Sequence, residues 1–166
     1  MSQATKSQID PLNRANYTAI TTMLTVADVQ KAYAFYQKAF SFEGRGLMPG
    51  PDGKAMHAEL KLRESVLMLG PENPAWQSAS AKTLGNTPAT LYLLVEDVDK
   101  LTTQATNAGA TLVQPPEDMF WGDRTATLVD PDGNKWMLAT HKAEPTPEQM
   151  DAEMKKQFAE MAKQQK

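Results

Sequence analysis

A chain of 166 residues with no cysteine and a formal net charge of −3 falls outside several classes of protein. Disulfide scaffolds, zinc–thiolate centres and thiol nucleophiles all require cysteine and are excluded. The sequence has no cluster of basic residues and no apolar run of membrane-spanning length, so neither nucleic acid nor a membrane is expected as a partner. The polar N-terminal segment is unlike a secretory signal, and the expected location is cytoplasmic.

The first predicted elements, after a flexible leader at residues 1–16, are a strand and a helix. Residues 20–26 form an apolar, β-branched run, and Asp28 follows at a position suited to cap the N-terminus of a helix. Apolar residues then recur at helical spacing, and three short strands are predicted at 43–48, 55–62 and 65–69. This first module, residues 17–71, therefore has the order βαβββ.

The same order returns 69 positions later, after a Pro/Ser/Thr-rich linker at residues 72–88. The segment LTVADVQK, which begins at Leu24, recurs as LLVEDVDK at Leu93 with five of eight residues identical. Asp97 is placed to cap the second helix, and the strands of this half are predicted at 90–95, 111–114, 124–129 and 135–139. The two tandem modules, residues 17–71 and 89–142, predict an α+β fold.

A C-terminal helical tail, residues 143–166, lies outside the repeat. Thr146-Pro147-Glu148-Gln149 reads as an N-cap, a first-turn proline and a capping-box glutamine. A single apolar stripe follows at Met150, Met154, Phe158 and Met161. Because a short helix with such a stripe is not stable alone in water, it is expected to pack on its own chain or on a partner subunit.

Several of these features resemble the vicinal-oxygen-chelate superfamily, which includes glyoxalase I, bleomycin-resistance proteins and extradiol dioxygenases. They are the tandem βαβββ modules, the V-x-D-V start of each helix, and GDR followed by DPDGN before the last strand. The runs MPGPDGKAMHAEL, VLMLG, FWGDR and ATHK are similar to a glyoxalase-like or demethylubiquinone methyltransferase-like branch. The resemblance covers about residues 17–142. It implies one cupped eight-stranded mixed sheet and favours a homodimer.

The resemblance also places the ligands of a divalent metal on the first and last strand of each module. In this sequence those positions are Thr21, Met68, Thr90 and Met137. The repeat offset independently pairs Thr21 with Thr90 and Met68 with Met137. A threonine hydroxyl is a poor ligand, and a neutral thioether is too soft for Zn²⁺, Mn²⁺ or Fe²⁺. We therefore expect no metal cofactor, and we assign the four residues to the lining of a ligand site.

His57 and Glu59 are the candidate catalytic residues. Strand alternation places Met56, Ala58 and Leu60 on the core face and leaves His57 and Glu59 on the opposite face. This parity requires the turn at residues 63–64 to have two residues. An imidazole beside a carboxylate is suited to act as a general base or to anchor a substrate. A solvated strand face is the alternative interpretation.

Trp121 and Arg124 form the other candidate cluster. An aromatic pair before a Gly-Asp turn can build an apolar wall, and an arginine can bind a carboxylate or phosphate with two hydrogen bonds. Strand alternation turns Tyr92 toward the same cavity. The second histidine, His141, ends the last predicted strand and is interpreted as a surface residue.

The expected function is binding of a small, partly apolar, anionic metabolite in the sheet cup without the family metal, and whether the metabolite is transformed is left open. One alternative is a metal-dependent lyase or dioxygenase with relocated ligands. For that alternative His57 and Glu59 supply too few donors. The other alternative is a non-catalytic protein that sequesters a small molecule or drug, as resistance proteins do. The sequence does not identify the substrate, because this fold hosts many chemistries.

Overall fold

A computed structural model describes residues 10–164, with side chains described as far as Ala159. The chain divides into two compact units. Of the described residues, the first contains 10–37 and Ser41–Ser80. The second contains Lys38–Phe40 and residues 81–164.

The first module forms a four-stranded mixed sheet with one helix. Its elements are β1 (Thr22–Val26), α1 (Val29–Phe40), β2 (Glu43–Pro49), β3 (Ala55–Leu62) and β4 (Ser65–Pro71). The strand order is β1-β4-β3-β2, with β1 parallel to β4 and the other neighbours antiparallel. Strand β2 therefore forms one edge of the sheet.

The second module repeats this topology. Its elements are β5 (Thr90–Leu94), α3 (Val98–Ala108), β6 (Thr111–Asp118), β7 (Asp123–Val129) and β8 (Lys135–His141). The order is β5-β8-β7-β6, again with only the first pair parallel. The predicted α+β class with two βαβββ modules is confirmed. The eight strands are observed as two four-stranded sheets, one in each module.

Strand β6 is longer than its predicted range of 111–114 because it continues through two prolines to Asp118. Proline cannot donate a hydrogen bond to a neighbouring strand, which is why the sequence indicated an end at Gln114. The strand lies at the edge of its sheet, and its register shifts between Gln114 and Glu117. Prolines are tolerated at such an edge and beside such an irregularity.

Both helices of the modules begin as predicted. The Asp28 side chain accepts a hydrogen bond from the Lys31 N–H, and the Asp97 side chain accepts one from the Lys100 N–H. Helix α3 is capped at its C-terminus by Gly109, whose φ of 114° is a left-handed conformation that glycine adopts without steric cost. The repeated V-x-D-V sequence is therefore a pair of helix starts.

Alternation along the strands gives each sheet a core face and an opposite face, which we call the open face. In the first module the core face carries fully buried Ala58, Leu60 and Leu69. The open face carries Met23, whose side chain is 62% exposed. In the second module, Leu128 and Leu138 are buried on the core face, and α3 packs against β6, β7 and β8.

The predicted linker contains local structure. It begins with a short 3₁₀ helix, Pro74–Trp76, and later forms the four-residue helix α2 (Ala81–Leu84). Ser80 is buried, and its N–H donates to the Glu72 carboxylate at 2.9 Å. Of the predicted leader, residues 1–9 lie outside the described residues, whereas residues 10–16 form turns around the Asp10 side chain.

The C-terminal tail forms α4 (Pro147–Gln164). Its capping box is observed as predicted, because the Thr146 N–H donates to Gln149 Oε1 at 2.8 Å and the Gln149 N–H donates to Thr146 Oγ1 at 3.3 Å. Met150 and Met154 are half-buried, but Phe158 is 59% exposed. The side chain of Met161 lies outside the described residues. Among the described helices, none combines the length and apolar character needed to cross a membrane.

Deleting residues 147–166 is expected to lower either the melting temperature or the dimer fraction. The deletion removes the half-buried methionines, and the apolar surface that they cover becomes exposed to water. Thermal melts and sedimentation velocity measure the two outcomes separately. If both are unchanged, the apolar stripe of α4 packs against nothing and the prediction is wrong.

Candidate functional site

The two candidate catalytic residues lie side by side on the open face of the first sheet. Residues 63–64 form the two-residue turn that the prediction required, since Leu62 pairs with Ser65 and Glu59 pairs with Met68. His57 Nε2 lies 3.5 Å from Glu59 Oε1. The predicted parity of strand β3 is therefore confirmed.

Two residues that the sequence did not single out complete this cluster. Tyr17 donates its phenolic hydrogen to Glu59 Oε1 at 2.7 Å. Arg45 Nη1 lies 3.5 Å from Glu59 Oε2, and the Arg45 guanidinium stacks 5.4 Å from the centre of the Tyr17 ring. Arg45 also donates to the backbone carbonyl and side-chain oxygen of Asn16 at 3.2 Å each. The end of the leader is thus part of the site.

The cluster keeps Glu59 ionised. Partial burial opposes its ionisation, but the hydrogen bonds from Tyr17 and with His57 and the positive charge of Arg45 outweigh it and hold the pKa of the carboxyl below its ordinary value. The same hydrogen bond to Glu59 raises the pKa of the Tyr17 hydroxyl, which therefore remains a donor. A charged carboxylate fixed by three neighbours can orient the imidazole beside it.

A small cavity of about 180 Å³ opens against these side chains. Strand β2 forms one wall and strand β3 the other. The residues that line it are Arg45, Gly46, Leu47, Met48, His57 and Glu59. A cation, an imidazole and a carboxylate therefore face one space together with apolar side chains.

At the four positions where the family resemblance places metal ligands, this chain carries side chains that do not fit a metal ion. Met68 lies beside Met23 on the open face of the first sheet, and Met137 lies beside Tyr92 on that of the second. Thr21 precedes β1 and donates its hydroxyl hydrogen to the carbonyl of Thr18 at 3.3 Å.

Thr90, the fourth of these positions, pairs with Lys135, a cation that does not bind metals while protonated. Across the part of the chain that the structure describes, no group of three or more histidine or acidic side chains is arranged to hold a metal. Thioethers and hydroxyls at these positions do not replace the nitrogen and carboxylate donors that such ions prefer.

The open face of the second sheet carries a separate network centred on Asp123. Its Oδ2 accepts hydrogen bonds from the Tyr92 hydroxyl at 2.6 Å and from the Trp121 indole N–H at 3.1 Å. Its Oδ1 lies 2.8 Å from His141 Nδ1, and His141 Nε2 lies 2.9 Å from Glu144 Oε1. Trp121 was predicted to form part of an apolar wall and Tyr92 to face the cavity, whereas Asp123 and Glu144 were not singled out and His141 was interpreted as a surface residue.

Arg124 does not join this network, although it adjoins Asp123 in sequence. Consecutive strand residues point to opposite faces, and Arg124 pairs with Thr140 on the face that packs against α3. Its guanidinium donates to both carboxylate oxygens of Asp99 at 2.8 and 2.9 Å and to Asp118 at 3.2 Å. These bonds raise the pKa of Arg124. The structure therefore separates Arg124 from Trp121, with which the sequence had grouped it.

The signals for the missed residues were weak in the sequence for physical reasons. Tyr17 bonds to Glu59, which lies 42 positions later in the sequence. No periodic pattern of residues connects the segment before β1 to strand β3. Arg45 lies on an edge strand in which every residue is exposed, so burial patterns carry no information there. The proximity of Asp123 to His141 follows only from the antiparallel register of β7 and β8.

Comparison with known proteins places this chain in a family. Residues 16–138 match the sequence model of the Glyoxalase/Bleomycin resistance protein/Dioxygenase superfamily. The chain therefore belongs to this superfamily, as the sequence motifs had indicated. The predicted family and the observed fold agree.

Individual relatives share the same modules. The protein "Uncharacterized protein Mb0911c" of Mycobacterium bovis is 39% identical over 142 residues, which cover 84% of this chain and 93% of that protein. The crystal structure of TioX from Micromonospora sp. ML1 matches with a TM-score of 0.61 at 27% identity, covering 75% of this chain and 98% of that one. A gene product of Arabidopsis thaliana matches with a TM-score of 0.62 at 25% identity, covering 74% and 98%.

Proposed function

We propose that this superfamily member binds a small, partly apolar, anionic metabolite on the open face of its first sheet, through organic side chains rather than a metal. The observation that carries the proposal is the convergence of Arg45, His57 and Glu59 on one cavity. The binding face of a sheet needs both a charge that selects the ligand and a surface that holds its apolar part. This face has both.

Arg45 is the residue that selects the anion. Its planar guanidinium can donate two parallel hydrogen bonds to a carboxylate or phosphate. Glu59 touches one side of this group at 3.5 Å, a distance longer than a strong ion pair. Arg45 therefore retains donor capacity toward the cavity, while stacking on Tyr17 and bonds to Asn16 hold its position.

The size of the cavity limits what it encloses. A volume of about 180 Å³ is smaller than the pockets that surround a drug-sized ligand. The acid group and a few adjoining atoms fit inside. Exposed Met23 and Met48 flank the cluster, since Met48 pairs with His57 and Met23 pairs with Met68. Flexible thioether side chains can contact the remaining apolar part of the ligand.

His57 gives this site the means for proton transfer. An imidazole that contacts an ionised carboxylate is oriented for general acid–base chemistry at its free nitrogen. A sequestering protein with the same geometry would bind the ligand and release it unchanged. Following a bound compound over time by NMR separates the two, because only an enzyme converts it. A lyase or dioxygenase that uses a relocated metal would need more donors than His57 and Glu59 provide.

Substitutions in the cluster are expected to remove binding while the fold remains intact. The assay is a panel of acid and phosphate metabolites screened by thermal shift, followed by titration of each compound that raises the melting temperature. Arg45→Ala should weaken an anionic hit by about 1.5–3 kcal/mol through the loss of charge-assisted hydrogen bonds. His57→Ala should also weaken it, and Glu59→Gln should reproduce part of the His57→Ala effect.

Arg124→Ala is the matched control for Arg45→Ala. It removes the same charge from the other module, where two carboxylates already engage the guanidinium. Its affinity for the hit should equal that of the wild-type protein. Equal affinities for the wild type and all three cluster variants would place the binding site elsewhere.

A further inference from the structure

The Asp123 network contains groups suited to a second binding site, which is separate from the cluster on the first sheet. Asp123 is only 13% exposed and accepts hydrogen bonds from two aromatic side chains. Burial opposes its ionisation, but the bonds from Tyr92, His141 and Trp121 outweigh this and hold the pKa of Asp123 below its ordinary value. A fixed anion at Oδ1 therefore sets the orientation of the His141 ring.

The other nitrogen of that ring faces a very different carboxylate. Glu144 is 91% exposed and belongs to the segment between β8 and α4. Its only described hydrogen bond is to His141 Nε2, at 2.9 Å. An exposed ion pair of this kind contributes little to stability, so a carboxylate from solution can replace it at little cost.

An open cavity of about 560 Å³ adjoins Glu144. Its volume lies within the range found for small-molecule sites. The walls are largely apolar and come from the loop before β7, the segment after β8 and the first turns of α4. The lining residues are Met119, Phe120, Gly122, Ala143, Glu144, Pro145, Gln149, Ala152 and Glu153.

We propose that this cavity binds an apolar or aromatic carboxylic acid whose carboxylate displaces Glu144, the lining residue that bonds to His141, from His141 Nε2. The imidazolium supplies one N–H to Asp123 and one to the ligand. Phe120 and Met119 contact the apolar body of the acid, with Phe120 packed edge-on against Trp121 at 4.9 Å. Glu144 acts as an internal competitor that occupies the anion position when no ligand is present.

The pH dependence of ligand binding follows from the same contacts. The hydrogen bonds with Asp123 and Glu144 raise the pKa of His141 above its ordinary value. The groups that face this ring are Tyr92 and Asp123 from the sheet and Glu144 from the following segment. A neutral imidazole has only one N–H and cannot donate to two carboxylates. Binding is therefore strongest at pH values that lie below the raised pKa of His141 and leave the ligand carboxylate ionised, and it is lost as the pH rises through the pKa of His141.

Phenylacetate is the probe, titrated into the ¹⁵N-labelled full-length protein and followed by chemical-shift changes at residues 119–124 and 141–153. Glu144→Ala should tighten binding by about twofold to fivefold, because an exposed competitor of this strength is removed. His141→Gln, which can still donate an amide N–H to Asp123, should abolish saturable binding at these residues. Phenylacetamide, which has no charge, should not saturate the site.

Glu153→Ala is the matched control for Glu144→Ala. Glu153 lines the same cavity but pairs with Lys156, so its removal changes the local charge without freeing His141. It should leave the affinity for phenylacetate within twofold of the wild type, and Arg45→Ala should leave it unchanged. This proposal is overturned if neither the wild type nor Glu144→Ala binds phenylacetate, or if Glu144→Ala binds it more weakly than the wild type does. Either result leaves the proposed binding site on the first sheet unaffected.

Discussion

The Asp130→Ala protein is expected to unfold with a free energy about 3 kcal/mol lower than that of the wild type. The Asp130 side chain is only 5% exposed and accepts hydrogen bonds from the backbone N–H groups of Asp132 and Asn134 at 3.0 and 2.9 Å. It also accepts the indole N–H of buried Trp136 at 2.9 Å. Alanine leaves these buried donors without an acceptor, and each hydrogen bond to a charged group is worth about 1.5–3 kcal/mol.

Urea unfolding followed by tryptophan fluorescence measures this loss, which corresponds to a melting temperature lower by about 6–12 °C. Asp52→Ala is the control, because it removes an aspartate from a turn in the other module. Asp52 is exposed, and its described hydrogen bond goes to the Lys54 N–H. Its replacement should cost less than about 1 kcal/mol. Equal losses for the two variants would mean that Asp130 does not organise its turn as described.

The Leu69→Ala protein is expected to lose about 3–4 kcal/mol of stability. Leu69 lies in the centre of the first sheet, fully buried on the core face and paired with Ala58 and Leu24. Truncation removes its contacts and leaves a cavity that the surrounding sheet cannot close. Chemical unfolding should show the loss as a lower midpoint with an unchanged slope.

Met23→Ala tests the opposite face of the same sheet. Both variants remove a large apolar side chain, but Met23 is mostly exposed and loses little buried surface. Its cost should stay below about 1 kcal/mol. If Met23→Ala is as destabilising as Leu69→Ala, the two faces are wrongly assigned and the site on the first sheet loses its basis.

The fold could be predicted because its signals are local and repeated. Alternation of apolar residues, the helix-capping carboxylates at Asp28 and Asp97, and the capping box at Thr146 each depend on neighbours within a few positions. The sequence repeat then predicted that the second half has the same order of elements as the first, because equivalent segments begin at Leu24 and Leu93. Strand β6 was predicted too short because its edge position, which tolerates proline, is not written in the local sequence.

The site was only partly predictable because its contacts are not local. His57 and Glu59 lie two positions apart on one strand, so alternation alone placed them on one face. Arg45 reaches Glu59 from an edge strand and Tyr17 reaches it from the start of the first module, and only the folded chain shows this. Alternation could also have separated Arg124 from Asp123, but the position of the aspartate partner on α3 could not be read from the sequence.

Membership of the superfamily defines the scaffold and leaves the chemistry to the site. One fold can host several reactions, and the metal that the family resemblance implies would need donors that this chain does not carry at Thr21, Met68, Thr90 and Met137. Thr90 and Met137 replace the nitrogen and oxygen donors with a weak ligand and a soft one. We propose the cluster at Arg45, His57 and Glu59 as the means of binding on the first sheet.

Native mass spectrometry of gently purified protein, combined with elemental analysis, tests most directly whether organic side chains rather than a metal hold the ligand. Protein prepared without chelator should carry far less than one zinc, manganese, iron or nickel per chain. Mixed with an acid identified in the metabolite screen, the wild type should show the added mass of that compound, and Arg45→Ala should not. An added mass equal to one divalent ion per chain, lost on chelation together with the bound acid, would contradict the account.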